Sequence, residues 1–114
     1  MRQRTRKWSG LVFEAWRTAG FNAVLNGVPV RIGEIIATSP QNVLIRDHNG
    51  GVHTVPQLYF IVWQECDGVR QVSDIIKLLS RRSNGLQRLW AQTVIMILER
   101  LWESGLVDFR EPLA

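Results

Sequence analysis

Beyond residue 20, the hydrophobic pattern of this chain changes period once, at Pro56, and that change limits what it can fold into. From residue 21 to Pro56, apolar residues come in short runs separated by turn residues. Downstream, they recur every three or four positions over long stretches. Alternate side chains share a face in a strand, whereas positions three and four apart share a face in a helix. Strands followed by helices, rather than strands alternating with them, predict an α+β domain with an antiparallel sheet.

In the β half, Asn26-Gly27 stands between Ala23-Val24-Leu25 and Val28-Pro29-Val30-Arg31-Ile32. An Asn-Gly pair accepts positive φ and suits a two-residue hairpin turn. A first hairpin is therefore expected here. Pro29 has no N–H, so this hairpin belongs at a sheet edge. Ile35-Ile36-Ala37 is expected to extend its second strand until Ser39-Pro40 breaks it. A second hairpin is expected from Asn42–Asp47 and Val52–Val55, turning through His48-Asn49-Gly50-Gly51.

Pro56 suits the first turn of a helix. Leu58, Tyr59, Ile61, Val62 and Trp63 follow, and Cys66-Asp67-Gly68 stops the run. Ser73-Asp74 opens a second helix, which closes at Arg81-Arg82-Ser83-Asn84-Gly85. A third spans about Leu86 to Glu103 and stops at Ser104-Gly105, leaving Leu106-Val107-Asp108-Phe109 as a short strand or extended tail.

The third helix carries more apolar surface than one neighbour can cover. At about 100° per residue, Leu86, Trp90, Val94, Ile97 and Leu101 form one stripe, and Ala91, Ile95, Leu98 and Trp102 a second. Leu89 and Met96 flank the first. A surface helix normally shows one stripe. The simplest expectation is that both are covered within the monomer; a second subunit or a bound peptide are the other ways to cover one.

The 114 residues are 46% hydrophobic and 21% charged, which is globular composition for one domain. No apolar run approaches the ~18 residues of a membrane span. No secretory signal is expected, because no apolar stretch or cleavage site follows the basic start. Cys66 is the single cysteine, so no internal disulfide forms, which fits a cytoplasmic location. Charge is uneven. Residues 1–20 hold five basic side chains and one acidic, +4, while residues 21–114 hold nine of each. Trp8, Leu11, Val12, Ala15, Trp16 and Ala19 lie at helical spacing. Residues 1–20 thus read as a basic amphipathic arm, an extra N-terminal helix docking on the domain through its tryptophans, and residues 21–114 as a single domain. The basic arm suggests an acidic partner or surface. A nucleic-acid-binding domain usually carries its basic excess on the folded body, so the neutral body makes nucleic acid an unlikely ligand.

No catalytic constellation emerges. His48 and His53 have no cysteine or carboxylate at metal-ligand spacing and read as a turn and a strand residue. Cys66 stands beside Asp67, whose charge raises a thiol pKa. Gly50-Gly51 neither opens a helix nor precedes a Lys-Ser/Thr pair, so it cradles no phosphate. The expectation is a protein that is not an enzyme and has no cofactor of its own.

Residues Asn42 to Leu106 resemble the PqqD-like family, the peptide-binding module also called the RiPP recognition element. The hairpin over residues 42–55 leads into a helix that carries Trp63 and ends at Cys66-Asp67-Gly68. Val69-Arg70-Gln71-Val72-Ser73-Asp74-Ile75 is similar to the family's Asp-Gly, spacer, Thr/Ser-x-x-Ile opening of the next helix. Leu98-Glu99-Arg100-Leu101-Trp102-Glu103-Ser104-Gly105-Leu106 resembles its closing Leu-x-x-Gly-Leu. The chain departs from the family at Val55-Pro56, where Leu-Asn is usual, and in the extra residues 1–20.

The resemblance implies a small winged-helix-like domain and a non-catalytic function. A precursor's leader peptide would add as a strand to the edge at Val52, His53, Thr54 and Val55. It would lie against the last helix, where Leu86, Trp90, Val94, Ile97 and Leu101 are the expected contacts. Main-chain bonds give such a complex affinity and side-chain pockets give it specificity. A separate modifying enzyme would act on the peptide and bring any cofactor. Two rivals stand beside this expectation. One is a winged-helix nucleic-acid-binding protein, disfavoured because the last helix has few side chains that reach base edges. The other is a structural subunit whose apolar helix serves a homodimer.

Overall fold

The computed structural model describes residues 24–110. The expected N-terminal arm and helix fall outside them. The order is β1 (Val28–Arg31), β2 (Glu34–Thr38), β3 (Asn42–Arg46), β4 (Val52–Pro56), α1 (Gln57–Gln64), α2 (Val72–Ser83), α3 (Gln87–Glu103) and β5 (Val107–Arg110). The α+β class and the three helices agree with the sequence.

The strands form two antiparallel sheets, one of order β2–β3–β4 and one pairing β1 with β5. The expected first hairpin is therefore corrected. Val24 and Leu25 are helical, and the Gly27 N–H donates to the Val24 carbonyl (3.0 Å). Asn26-Gly27 ends a helical turn rather than joining two strands. β1 finds its partner at the far end of the chain, with Val28 opposite Arg110 and Arg31 opposite Val107. Such a partner leaves no trace in the local pattern. Pro29 still sits on an edge strand, as its missing N–H requires.

β2 is a separate strand and does not prolong β1. The chain bends between them at Gly33, where φ is +106° and an added Cβ would lie 2.5 Å from the Arg46 carbonyl oxygen. Only glycine fits there. β2 then runs back along β3 with an irregularity between Ile35 and Ala37. The β3–β4 hairpin pairs Val43 with Val55 and Ile45 with His53. Pro56 is the last residue of β4 and caps α1, with extended φ −59° and ψ 153°.

The helix ends follow capping chemistry. The Gln71 N–H donates to Asp74 Oδ2 at the start of α2 (3.1 Å), and Asn84 ends that helix in the left-handed region at φ 54°. Gly105, at φ 78°, ends α3, and the Leu106 N–H returns to the Leu101 carbonyl (2.9 Å). This turn aims the chain directly into β5.

α3 packs against α2, α1 and β5, while α1 packs on β3 and β4. Val43, Ile45 and Val55 from the larger sheet meet Val62 and Trp63 of α1 in the core. Ile75, Ile76 and Leu79 of α2 enclose α3 from the other side. Val94, Ile97 and Leu101 of the first α3 stripe are buried, as are Ala91, Ile95 and Leu98 of the second. Between Ala91 and Leu101 both stripes are covered within the chain, while Leu86 at the head of the first is exposed. The Trp63 indole N–H ties α1 to the end of the β1–β5 pair by donating to the Leu106 carbonyl (3.0 Å) and the Ile32 carbonyl (3.3 Å).

Candidate functional site

β4 lies at an edge of its sheet, and its hydrogen-bond phase can be read from the two ends of the hairpin. The Asp47 N–H donates to the Gly51 carbonyl (2.8 Å), and the Gln57 N–H to the Gln41 carbonyl (3.1 Å). Opposed residues in an antiparallel ladder alternate between bonded and non-bonded pairs. Ile45–His53 and Val43–Val55 are therefore bonded pairs, and Arg46–Val52 and Leu44–Thr54 are not. The N–H and C=O groups of Val52 and Thr54 point away from β3, toward the open edge.

Beyond that edge lies a cleft of about 470 Å³ between β4 and the C-terminal end of α3. Val52–Pro56 form one wall, Arg100, Leu101 and Ser104 the other, and Tyr59 and Leu106 complete it. Val55, Leu101 and Leu106 are buried and give it an apolar floor. His53, Thr54, Tyr59, Arg100 and Ser104 give it a polar rim.

All four strand residues expected at the site, Val52, His53, Thr54 and Val55, line this cleft. Of the five expected helical contacts only Leu101 does. Val94 and Ile97 are fully buried core residues. Trp90 is half-buried near the other end of α3 and donates its indole N–H to Ser83 Oγ (2.7 Å). Leu86 is 70% exposed beside it. The sequence stripe marked the core-facing side of α3. The cleft is reached instead by the last turn and the Gly105 bend, so Arg100, Ser104 and Leu106 were missed. The Ser104-Gly105-Leu106 stop was the available signal, since a glycine-terminated helix turns its following residues back over its last turn.

The electrostatics of the cleft are simple. His53 Nε2 lies 2.6 Å from Asp47 Oδ2, and Asp47 Oδ1 also accepts the N–H groups of Asn49 (2.8 Å) and Gly51 (2.9 Å). The bond from His53, with those loop amides, holds the Asp47 carboxyl down at about 2. Among the described residues of the lining, Arg100 is the one formal cation and there is no carboxylate. Arg46, Arg70 and Arg82 pair with Glu34, with Glu65 and Asp67, and with Glu65 respectively. Arg100 makes no ion pair among the described residues.

Elsewhere the reactive side chains are confined. Cys66 is buried and directs its S–H to the Val62 carbonyl (3.3 Å); burial pushes the thiol far above its usual range. His48 is exposed in the hairpin turn. Among the described residues no three His, Cys, Asp or Glu side chains gather at metal-binding distance, and no helix is long and apolar enough to cross a membrane.

Fold and cleft together define a small α+β domain with an open strand edge facing the end of a helix. No protein-family model matches the chain, and no curated protein matches it significantly.

Proposed function

We propose that this chain is a non-catalytic peptide-recognition protein. It takes a precursor's leader peptide as an added strand on β4 and presents it to a separate modifying enzyme, which brings any cofactor. The observation that carries this reading is the outward aim of the Val52 and Thr54 main-chain groups across a cleft with an apolar floor. An exposed edge strand is a template for another strand.

Magnitudes say which part of the site must supply affinity. Val52 and Thr54 offer four main-chain groups, worth about 1 kcal/mol each net, or ~4 kcal/mol before ordering costs. A micromolar complex needs about 8 kcal/mol. Apolar side chains of the peptide must provide the rest, at ~25 cal/mol per Å² of their own surface removed from water, because Val55, Leu101 and Leu106 are already at most 4% exposed.

The test is titration with a fluorescently labelled leader peptide from a precursor encoded beside this gene. Wild type is compared with Thr54→Pro, which removes an outward N–H and leaves the β3 bonds in place. Saturable binding that Thr54→Pro weakens at least tenfold, with an unchanged circular dichroism spectrum, is the expected result. Equal binding by both proteins rules out strand addition at β4. Binding of duplex DNA, and of no leader, replaces this reading with the winged-helix one.

A further inference from the structure

We propose that the peptide accepted in the cleft carries a carboxylate, an Asp or Glu side chain, which pairs with the Arg100 guanidinium while an adjacent apolar residue rests on Leu101 and Leu106. This inference rests on strand addition at β4 and adds to it the class of peptide.

Three observations carry it. Arg100 stands on the cleft wall opposite the outward-facing groups of Val52 and Thr54, and the described lining residues include no acid to neutralise it. It makes no ion pair among the described residues, as is also true of Arg31, Lys77, Arg81, Arg88 and Arg110, but of these Arg100 is the one in the described cleft lining. Its α3 neighbours Glu99 and Glu103 hold interactions of their own. A guanidinium offers a planar fork of donors matched to a carboxylate, and lysine does not reproduce that geometry. Bringing a strand into the cleft removes water around this cation, so a neutral peptide leaves it without a partner as its hydration is lost. A peptide carboxylate answers both losses with a charge-assisted pair.

The neighbouring surface favours apolar company for that acid. Leu101 and Leu106 accompany Arg100 in the cleft lining and form its apolar floor. Alternate residues of an added strand face the same way. An acid facing Arg100 therefore has its next inward neighbour, two residues away, over the apolar floor.

The experiment is selection from a random dodecapeptide display library on the full chain, in wild-type, Arg100→Gln, Arg100→Glu and Thr54→Pro forms, each checked by circular dichroism. The expected result has two parts. Wild-type selections concentrate Asp or Glu at one position with an apolar residue two away. A synthetic peptide of that sequence then binds Arg100→Gln about tenfold more weakly, and Arg100→Glu selects Lys or Arg at the same position. Peptides that lose binding on Thr54→Pro but show no acidic position, or that bind Arg100→Gln equally well, overturn the inference and leave the strand-addition reading standing. Failure to recover any peptide sensitive to Thr54→Pro overturns both.

Discussion

The His53 imidazole and the Asp47 carboxylate clasp the β3–β4 hairpin from within, Nε2 to Oδ2 at 2.6 Å. With its pKa near 2 the carboxyl is ionised and can only accept, so Nε2 carries the proton and donates. The same carboxylate accepts two loop N–H groups, so one side chain shapes the turn and anchors a residue of the cleft rim.

This pair sets an acid-side dependence. A carboxyl whose folded pKa lies below its unfolded value of about 3.9 contributes stability above that value and loses it as pH falls through the folded pKa. The stability advantage of wild type over Asp47→Asn is expected to be full above about pH 5 and to shrink between about pH 4 and about pH 2. Urea midpoints of both proteins across that range measure it. A gap unchanged down to pH 2 would remove the pair from the stability of the hairpin.

The phase of the β4 ladder makes a prediction free of any ligand. The His53 and Val55 amides bond to β3, and those of Val52 and Thr54 face outward. Amide exchange followed by NMR should be slow at the first two and fast at the second two. His53→Pro should cost at least ~2 kcal/mol, because it leaves the buried Ile45 carbonyl short of a partner, whereas Thr54→Pro should stay folded. Equal exchange along β4 would mean the edge is covered or the phase reversed.

On α3, burial separates two kinds of apolar residue that look alike in the sequence. Ile97 is fully buried, so Ile97→Ala should destabilise by about 2–5 kcal/mol in urea unfolding. Leu89→Ala and Met96→Ala, at exposed positions, should change stability by no more than about 0.5 kcal/mol. The reverse order would place the core on the other side of the helix.

Trp63 gives a further handle. Its indole N–H serves the Leu106 and Ile32 carbonyls, and the Arg31 guanidinium lies 5.8 Å from its ring centroid. Trp63→Phe keeps most of the apolar bulk and removes that donor, while the Leu106 carbonyl still accepts the Ile32 N–H (2.8 Å), so the loss should be about 1 kcal/mol. A smaller loss by thermal and urea unfolding would show that neither carbonyl depends on it.

Backbone strain supplies a last test. Gly33→Ala forces a side chain into positive φ and within 2.5 Å of the Arg46 carbonyl oxygen. It should destabilise by ~1–3 kcal/mol and loosen the β2–β3 pairing. A neutral outcome would mean that the β1–β2 bend can be redrawn.

Local pattern alone encodes the helices and one hairpin. Apolar spacing placed α1, α2 and α3, the Asp67-Gly68, Asn84-Gly85 and Ser104-Gly105 stops ended them, and the Gly-rich turn between Asp47 and Val52 marked the β3–β4 pairing. All of these are encoded within a few residues of where they act. The clasp of Asp47 and His53 was not seen, because a strand histidine and a turn aspartate carry no periodic signal that joins them.

The rest depends on packing between distant elements. Asn26-Gly27 resembled a hairpin turn, yet β1 pairs with β5 at the opposite end of the chain, and no local rule reports a partner that distant. Both apolar stripes of α3 were visible, but which lines a cleft depends on how α1, α2 and β5 surround the helix. They bury Val94 and Ile97 and leave Arg100, Leu101 and Ser104 facing β4. Periodicity records that a side chain is apolar and which way it points around its own axis. What stands opposite it is set by packing between elements far apart in sequence, and the cleft is a product of that packing.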